Sequence, residues 1–214
     1  MMKPLSSIRT IFTMLLAILI MACSEPNPYL ENEHYTVFDH SIDDVIKQQP
    51  ELAEVPVLEF FTYGCSHCQT FAPVFNKWAK EQDIKAAYIP VVWSDSTELH
   101  AKAFYLIKEK PEFEQLHAGL FKLAAGFSRT DSLEEQKIAL IDWFQKRGIQ
   151  PIDTLQALDS SQFEQELAQS VLLTKRFKIT GTPTLVVKQQ YRINNKAVKS
   201  QQELLEIAEQ LIQP

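Results

Sequence analysis

Apolar positions recur along this chain with two different periods, and the two alternate in a definite order. Val57–Phe61 is an apolar run broken only by Glu59, which predicts a buried strand. Thr62-Tyr63-Gly64 then marks a turn. Beyond it Cys68, Phe71, Ala72, Phe75 and Ala79 fall at i, i+3, i+4, i+7 and i+11, one helical face with Pro73 as a kink. Leu185-Val186-Val187 is a second β-branched run, entered through Gly181-Thr182-Pro183-Thr184. Tyr35–Phe38 reads as the first strand and Ala86–Trp93 as the third, which Pro90 should shorten because proline suits a strand end.

Four helical segments are expected between the two halves. Their apolar faces are Leu99, Ala103, Leu106 and Ile107; Phe113, Leu116 and Leu120; Ile138, Ile141 and Phe144; and Phe163, Leu167 and Val171. Ser132 with Glu135, Ser161 with Glu164 and Ser200 with Glu203 have capping-box spacing and mark three helix starts. Leu204, Ala208, Leu211 and Ile212 form the face of a closing helix. The order strand, strand, helix, strand, helices, strand, strand, helix predicts an α/β domain.

The N-terminus is patterned differently. Lys3 and Arg9 precede an apolar stretch, Ile11–Ala22, long enough for a signal-peptide core and too short for a comfortable membrane span. Its end, Leu19-Ile20-Met21-Ala22-Cys23-Ser24, resembles the lipobox of bacterial lipoproteins, which implies a lipidated Cys23. Ala22-Cys23-Ser24 also fits ordinary signal peptidase as a small-x-small site. Export follows from either reading. Residues 1–22 are then signal and 23–33 a polar tether.

The remaining composition is that of a packed protein, 45% apolar over 214 residues. The formal charge of −6 deepens by two once Lys3 and Arg9 leave with the signal, which disfavours phosphate backbones. The longest basic cluster, Lys175–Lys178 around Phe177, reads as one solvated helix turn. His34, His40, His100 and His117 share no ligand spacing and read as surface or helix-face residues.

Chemistry is concentrated at Cys65-Ser66-His67-Cys68. Two cysteines three residues apart close too small a ring to staple a fold, so their pairing points to reaction rather than stability. Zinc needs two further ligands, and no second Cys-x-x-Cys or spaced histidine pair exists. Haem attachment would require histidine where Gln69 stands. Cys65 falls at the start of the helix, where free backbone N–H groups and the helix dipole favour a thiolate. Cys68, one turn in and on the packed face, should stay a thiol until it resolves a mixed disulfide. His67 either adds positive charge beside the thiolate or is inert surface. Glu59, if buried, has a raised pKa and can relay protons to the deeper cysteine; otherwise it reaches water at the strand end. Phe61 and Tyr63 offer apolar contact to a substrate, with burial in the core as the alternative for Phe61.

Glu59-Phe60-Phe61-Thr62-Tyr63-Gly64-Cys65-Ser66-His67-Cys68, followed by Gly181-Thr182-Pro183-Thr184-Leu185, resembles the DsbA family of bacterial thiol-disulfide oxidoreductases. The resemblance covers most of residues 35–214. It implies a thioredoxin fold, a central mixed β-sheet flanked by helices, with a helical insertion: core at 34–93, insertion at 94–177, core again at 178–214. It implies further that Cys65 is the nucleophile, Cys68 the resolving cysteine, and Pro183 cis beside them. Thr182 would offer its backbone to an extended substrate. No cofactor beyond the Cys65–Cys68 disulfide is expected. The expected partners are exported proteins with free thiols or disulfides and a DsbB-type membrane reoxidase, with no nucleic acid, and the chain is expected to be a monomer in the periplasm, attached to a membrane through the lipid on Cys23. Ser66 stands where oxidant members commonly have proline, Thr182 where the best-known oxidant has valine, and the lysine partner of the family's buried acid is replaced near Tyr88. A disulfide reductase or isomerase, or a lipid-anchored module that holds clients without redox turnover, are the competing readings.

Overall fold

The computed structural model describes residues 28–39, 52, 54–127, 131–159 and 161–213. The signal, Cys23 and His40 lie outside the described residues. A five-stranded mixed sheet forms the centre, in the order β1-β5-β4-β2-β3, from β1 (Tyr35–Val37), β2 (Val57–Phe61), β3 (Ala86–Pro90), β4 (Thr184–Val187) and β5 (Tyr191–Ile193). Strands β2 and β3 run parallel, joined by helix α1 (Ser66–Glu81), because a parallel pair needs a crossover connection. The other pairings are antiparallel. The two central strands, β2 and β4, are buried along their whole length, which is why they read as continuous apolar runs.

Side chains of a strand alternate between faces. Val57, Leu185 and Val187 face Phe71, Phe75 and Trp78 of α1 and the closing helix α7 (Gln201–Ile212). Leu58, Phe60 and Val186 face the other way, onto Leu173 and Phe177. By this alternation Glu59 lies on the α1 side, between Val57 and Phe61, with no exposed surface. The α1 helix continues through Pro73 without ending there, and its Trp78 indole N–H donates to Glu209 of α7.

Between β3 and β4 lie α2 (Asp95–Ile107), α3 (Phe113–Ala124), α4 (Leu133–Gln145), α5 (Pro151–Asp159) and α6 (Glu164–Arg176). They number five where the apolar faces predict about four; α5 has no counterpart among those faces, although Pro151 at its first position is a start signal. The expected face of α4 is also displaced. Phe144 is buried as expected, but Ile138 is 57% exposed, and Leu140 and Trp143 turn inward instead. Ser132 and Glu135 form the capping box and Ser94 with Thr97 a further one. Ser200 caps α7 through the Glu203 N–H, but the Glu203 carboxylate reaches Lys199 N–H instead of completing the box. Ser161 caps nothing: a short 3-10 turn, Ser161–Phe163, precedes α6, whose N-cap Phe163 makes no side-chain bond.

Helix α6 serves two bodies. Its start, with Phe163 and Leu167, packs among Ala101 and Ala157 of the insertion, whereas Leu173 and the following Phe177 cover the sheet. The described part of the tether is also engaged. Asn32 N–H donates to Tyr35 O at 2.7 Å in a local turn, and Asn194 Nδ2 donates to Glu33 O at 3.0 Å, which ties Glu33 to the residue after β5. Among the described residues no helix is long and apolar enough to cross a membrane.

Candidate active site

The end of β2 and the start of α1 build the site. Cys65 N–H donates back to Thr62 O at 3.1 Å, which closes the turn and leaves Cys65 with extended backbone as the N-cap of α1. In that position its sulfur takes the place a serine oxygen occupies in other caps: Sγ accepts the Cys68 N–H at 3.1 Å. Cys65 is half-buried and Cys68 fully buried, both as free thiols. The first turn of α1 carries no acidic residue to oppose an anion, and His67 is exposed within it.

The second half arrives from 117 residues away. The Thr182–Pro183 peptide bond is cis, and the Cys65 S–H donates to Thr182 O at 3.3 Å. Thr184 Oγ1 donates to Gly181 O at 2.8 Å, and Asn195 Nδ2 reaches both Pro183 O and Thr184 Oγ1, which fixes the loop before β4 from the far side. The sequence offered no signal for Asn195, since its role depends on β5 turning back beside β4.

Electrostatics separate the two thiols. Cys65 is lowered to about 6, first by a hydrogen bond from the Cys68 side chain, with further help from the Thr182 side chain, the Cys68 N–H and the His67 charge, against partial desolvation. Cys68 is pushed far up by burial, and by the same bond that stabilises its neighbour. Beneath them burial holds Glu59 well above the ordinary carboxyl range, with the Cys65 charge acting in the same direction. Neither Glu59 oxygen has a hydrogen-bond partner among the described residues. Its register partner across β2 and β3 is Tyr88, whose hydroxyl donates to Asn76 Oδ1 at 2.7 Å. The strand-end reading of Glu59 is thus excluded.

Tyr63 requires correction. It is 3% exposed and points inward, where its hydroxyl lies 2.7 Å from His117 Nδ1, so it presents no apolar surface to a substrate. Its place two residues before the half-exposed Cys65 suggested accessibility, but the alternation of β2 continues through it. Phe61 is likewise core, with its ring centroid 5.2 Å from that of Tyr63 and 5.0 Å from that of His117. His117 and His100, expected as surface or helix-face residues, are both buried; burial pushes them down to about 3 and about 4, so both rings are neutral. The signal for His117 was its place beside Leu116 and three residues before Leu120 on the packed face of α3. Among the described residues no group of three or more His, Cys, Asp or Glu is placed to hold a metal.

A half-exposed, acidified cysteine at a helix N-cap, a buried partner one turn on, and a cis-proline loop against them define a thiol–disulfide oxidoreductase of the thioredoxin fold. Comparison with known proteins places it more narrowly. Residues 75–211 match the family model described as a DSBA-like thioredoxin domain, and the chain belongs to that family. It is 28% identical over 163 residues to the thiol:disulfide interchange protein DsbA of Pseudomonas syringae, covering 74% of each chain. To that of Burkholderia cepacia it is 30% identical over 147 residues, 65% of each. Among solved structures, DsbA from Xylella fastidiosa superposes with a TM-score of 0.71 at 19% identity, over 87% of this chain and 97% of that one. Pseudomonas aeruginosa DsbA superposes with a TM-score of 0.64 at 20% identity, over 88% of each.

Proposed function

We propose that this protein introduces disulfides into exported proteins by handing over its own Cys65–Cys68 disulfide. A client thiolate attacks Cys65 Sγ; the Cys65–Cys68 bond breaks, and the electron pair leaves on Cys68. Glu59, held protonated by burial, supplies the proton that this inaccessible sulfur needs. A second client thiolate then attacks the client sulfur of the mixed disulfide and expels Cys65 as a thiolate. The client is oxidised by two electrons and the Cys65/Cys68 pair reduced by two. Thr182, beside Cys65 and next to cis Pro183, offers backbone groups to an extended client segment, a form of strand addition that reads little sequence.

The observation that carries this reading is the inequality of the two sulfurs. Stabilising the Cys65 thiolate stabilises the reduced form, which makes the disulfide a stronger oxidant. The pair works with no further cofactor. A DsbB-type membrane partner reoxidises it, the lipid on Cys23 holds it to a membrane, and it works as a monomer in the periplasm. The test is the equilibrium reduction potential of the purified protein against glutathione buffers. A value well above that of thioredoxin is expected; a value near thioredoxin's overturns the oxidase reading in favour of a reductive role.

A further inference from the structure

A cleft of about 480 Å³ opens between α1 and α3, and neither Cys65 nor Cys68 lines it. Its floor is apolar, from Ala72, Pro73, Ala118 and Phe121. The amides of Gln69 and Asn76 line it, and its charged groups are mostly cationic. Lys77 and Lys80 on α1 and Lys122 on α3 stand at the rim, all exposed. Lys77 has only a 3.8 Å contact with Glu81, and Lys80 and Lys122 make no ion pair among the described residues. Glu114 is the single acid on the rim.

The floor adds an independent feature. His117 lines the cleft, 1% exposed, and its Nε2 has no hydrogen-bond partner. Its Nδ1 is taken by the Tyr63 hydroxyl at 2.7 Å, and the imidazole tautomer sets which of the two donates. The second ring nitrogen, Nε2, is therefore a buried polar atom left without a partner at the floor of the cleft. Three ammonium groups at the rim call for an acid group, the unpartnered Nε2 adds a polar atom below, and the walls call for hydrocarbon. On a protein of net charge −6 this local excess of positive charge selects against cations and bare apolar molecules alike. The volume falls within the range of small-molecule sites.

We propose that this cleft binds a small amphiphilic anion, with an aromatic ring or short acyl chain on Ala72, Pro73 and Phe121 and its acid group among Lys77, Lys80 and Lys122. The occupant would touch the helix that carries both thiols without covering them, so the site is separate from the redox reaction and does not rest on the proposed function.

The probe is anilinonaphthalene sulfonate, titrated by fluorescence into the purified protein, followed by displacement with decanoate. Saturable binding at one site per chain is expected. Losing three exposed ammonium contacts in Lys77→Gln/Lys80→Gln/Lys122→Gln should weaken it about tenfold, and Ala118→Trp, which fills the cleft from an exposed position, should abolish it. No saturable binding, or binding that the lysine variant retains undiminished, overturns the proposal whatever Ala118→Trp does.

Discussion

Tyr63 and His117 are hydrogen-bonded at 2.7 Å across the seam between the catalytic turn and the helical insertion, and neither side chain reaches solvent. Removing one partner strands the other. Tyr63→Phe should cost about 1–3 kcal/mol, the penalty of an unsatisfied buried polar group. The double variant Tyr63→Phe/His117→Phe should recover part of that loss, because both polar groups are then gone. Urea unfolding of the three proteins checks this; a double variant that loses the sum of both single effects would mean that the pair acts through packing alone.

The Cys65 thiolate should appear in an ultraviolet titration of the reduced protein with a midpoint of about 6. Because the folded value lies below that of the unfolded thiol, the thiolate stabilises the reduced form above the ordinary thiol range. That stabilisation is lost as pH falls through about 6. His67→Ala should raise the midpoint, by less than about one unit, since the His67 charge is the last of the contributions.

Glu59 works in the opposite sense. Its folded pKa is raised, so the protonated carboxyl is compatible with the fold at low pH and stability falls as pH rises past the unfolded carboxyl's range. Each unit of elevation costs about 1.4 kcal/mol once the unfolded state ionises. Glu59→Gln should therefore be about as stable as the parent near pH 4 and more stable at pH 7, as measured by thermal unfolding. It should also slow the release of Cys68 in single-turnover oxidation of a dithiol peptide. A variant that gained stability equally at both pH values would dissociate the gain from ionisation.

Exposure divides the two cysteines for capture experiments. Cys68→Ser should accumulate mixed disulfides through Cys65, whereas Cys65→Ser should accumulate few, because Cys68 has no accessible surface. Non-reducing electrophoresis of exported proteins distinguishes the two. Comparable trapping by both variants would contradict the assigned roles.

Gly119 on α3 faces Trp143 of α4 so closely that an added Cβ would sit 2.6 Å from the indole. The indole is held by the Arg147 guanidinium, which stacks 3.7 Å from its ring centroid. Gly119→Ala should gain about 1 kcal/mol in helix propensity and lose about 1–3 kcal/mol to overpacking. A net loss of stability is expected in denaturant unfolding.

The legible parts of the sequence were those carried by local period. The order of elements and the Cys65–Cys68 turn follow from runs of five to fifteen residues read in place, whereas the burial of Glu59 was left open between core and strand end. Misreadings came from contacts between distant segments. Ile138 fits a helical face as well as Leu140 does, and only the approach of α3 and α5 decides which turns inward. Tyr63 meets a histidine 54 positions away, a pairing that no local pattern announces. Asn195 holds the cis-proline loop because β5 pairs back onto β4. Helix α5 escaped notice although Pro151 marks its start, since its nine residues show too few turns of period.

Phe61, Tyr63 and Cys68 belong to the same hydrophobic cluster as Phe104, Leu120 and Phe144, whereas Val57 and Leu58 of the same strand belong to the two clusters that hold the sheet. The insertion therefore supplies the wall behind the reacting sulfurs and is not an ornament added to a finished enzyme. Transplanting these five helices onto another thioredoxin-like scaffold, or deleting them from this one, would require the catalytic turn to be redesigned with them. Change in this lineage should accordingly run in step on the two sides of that seam.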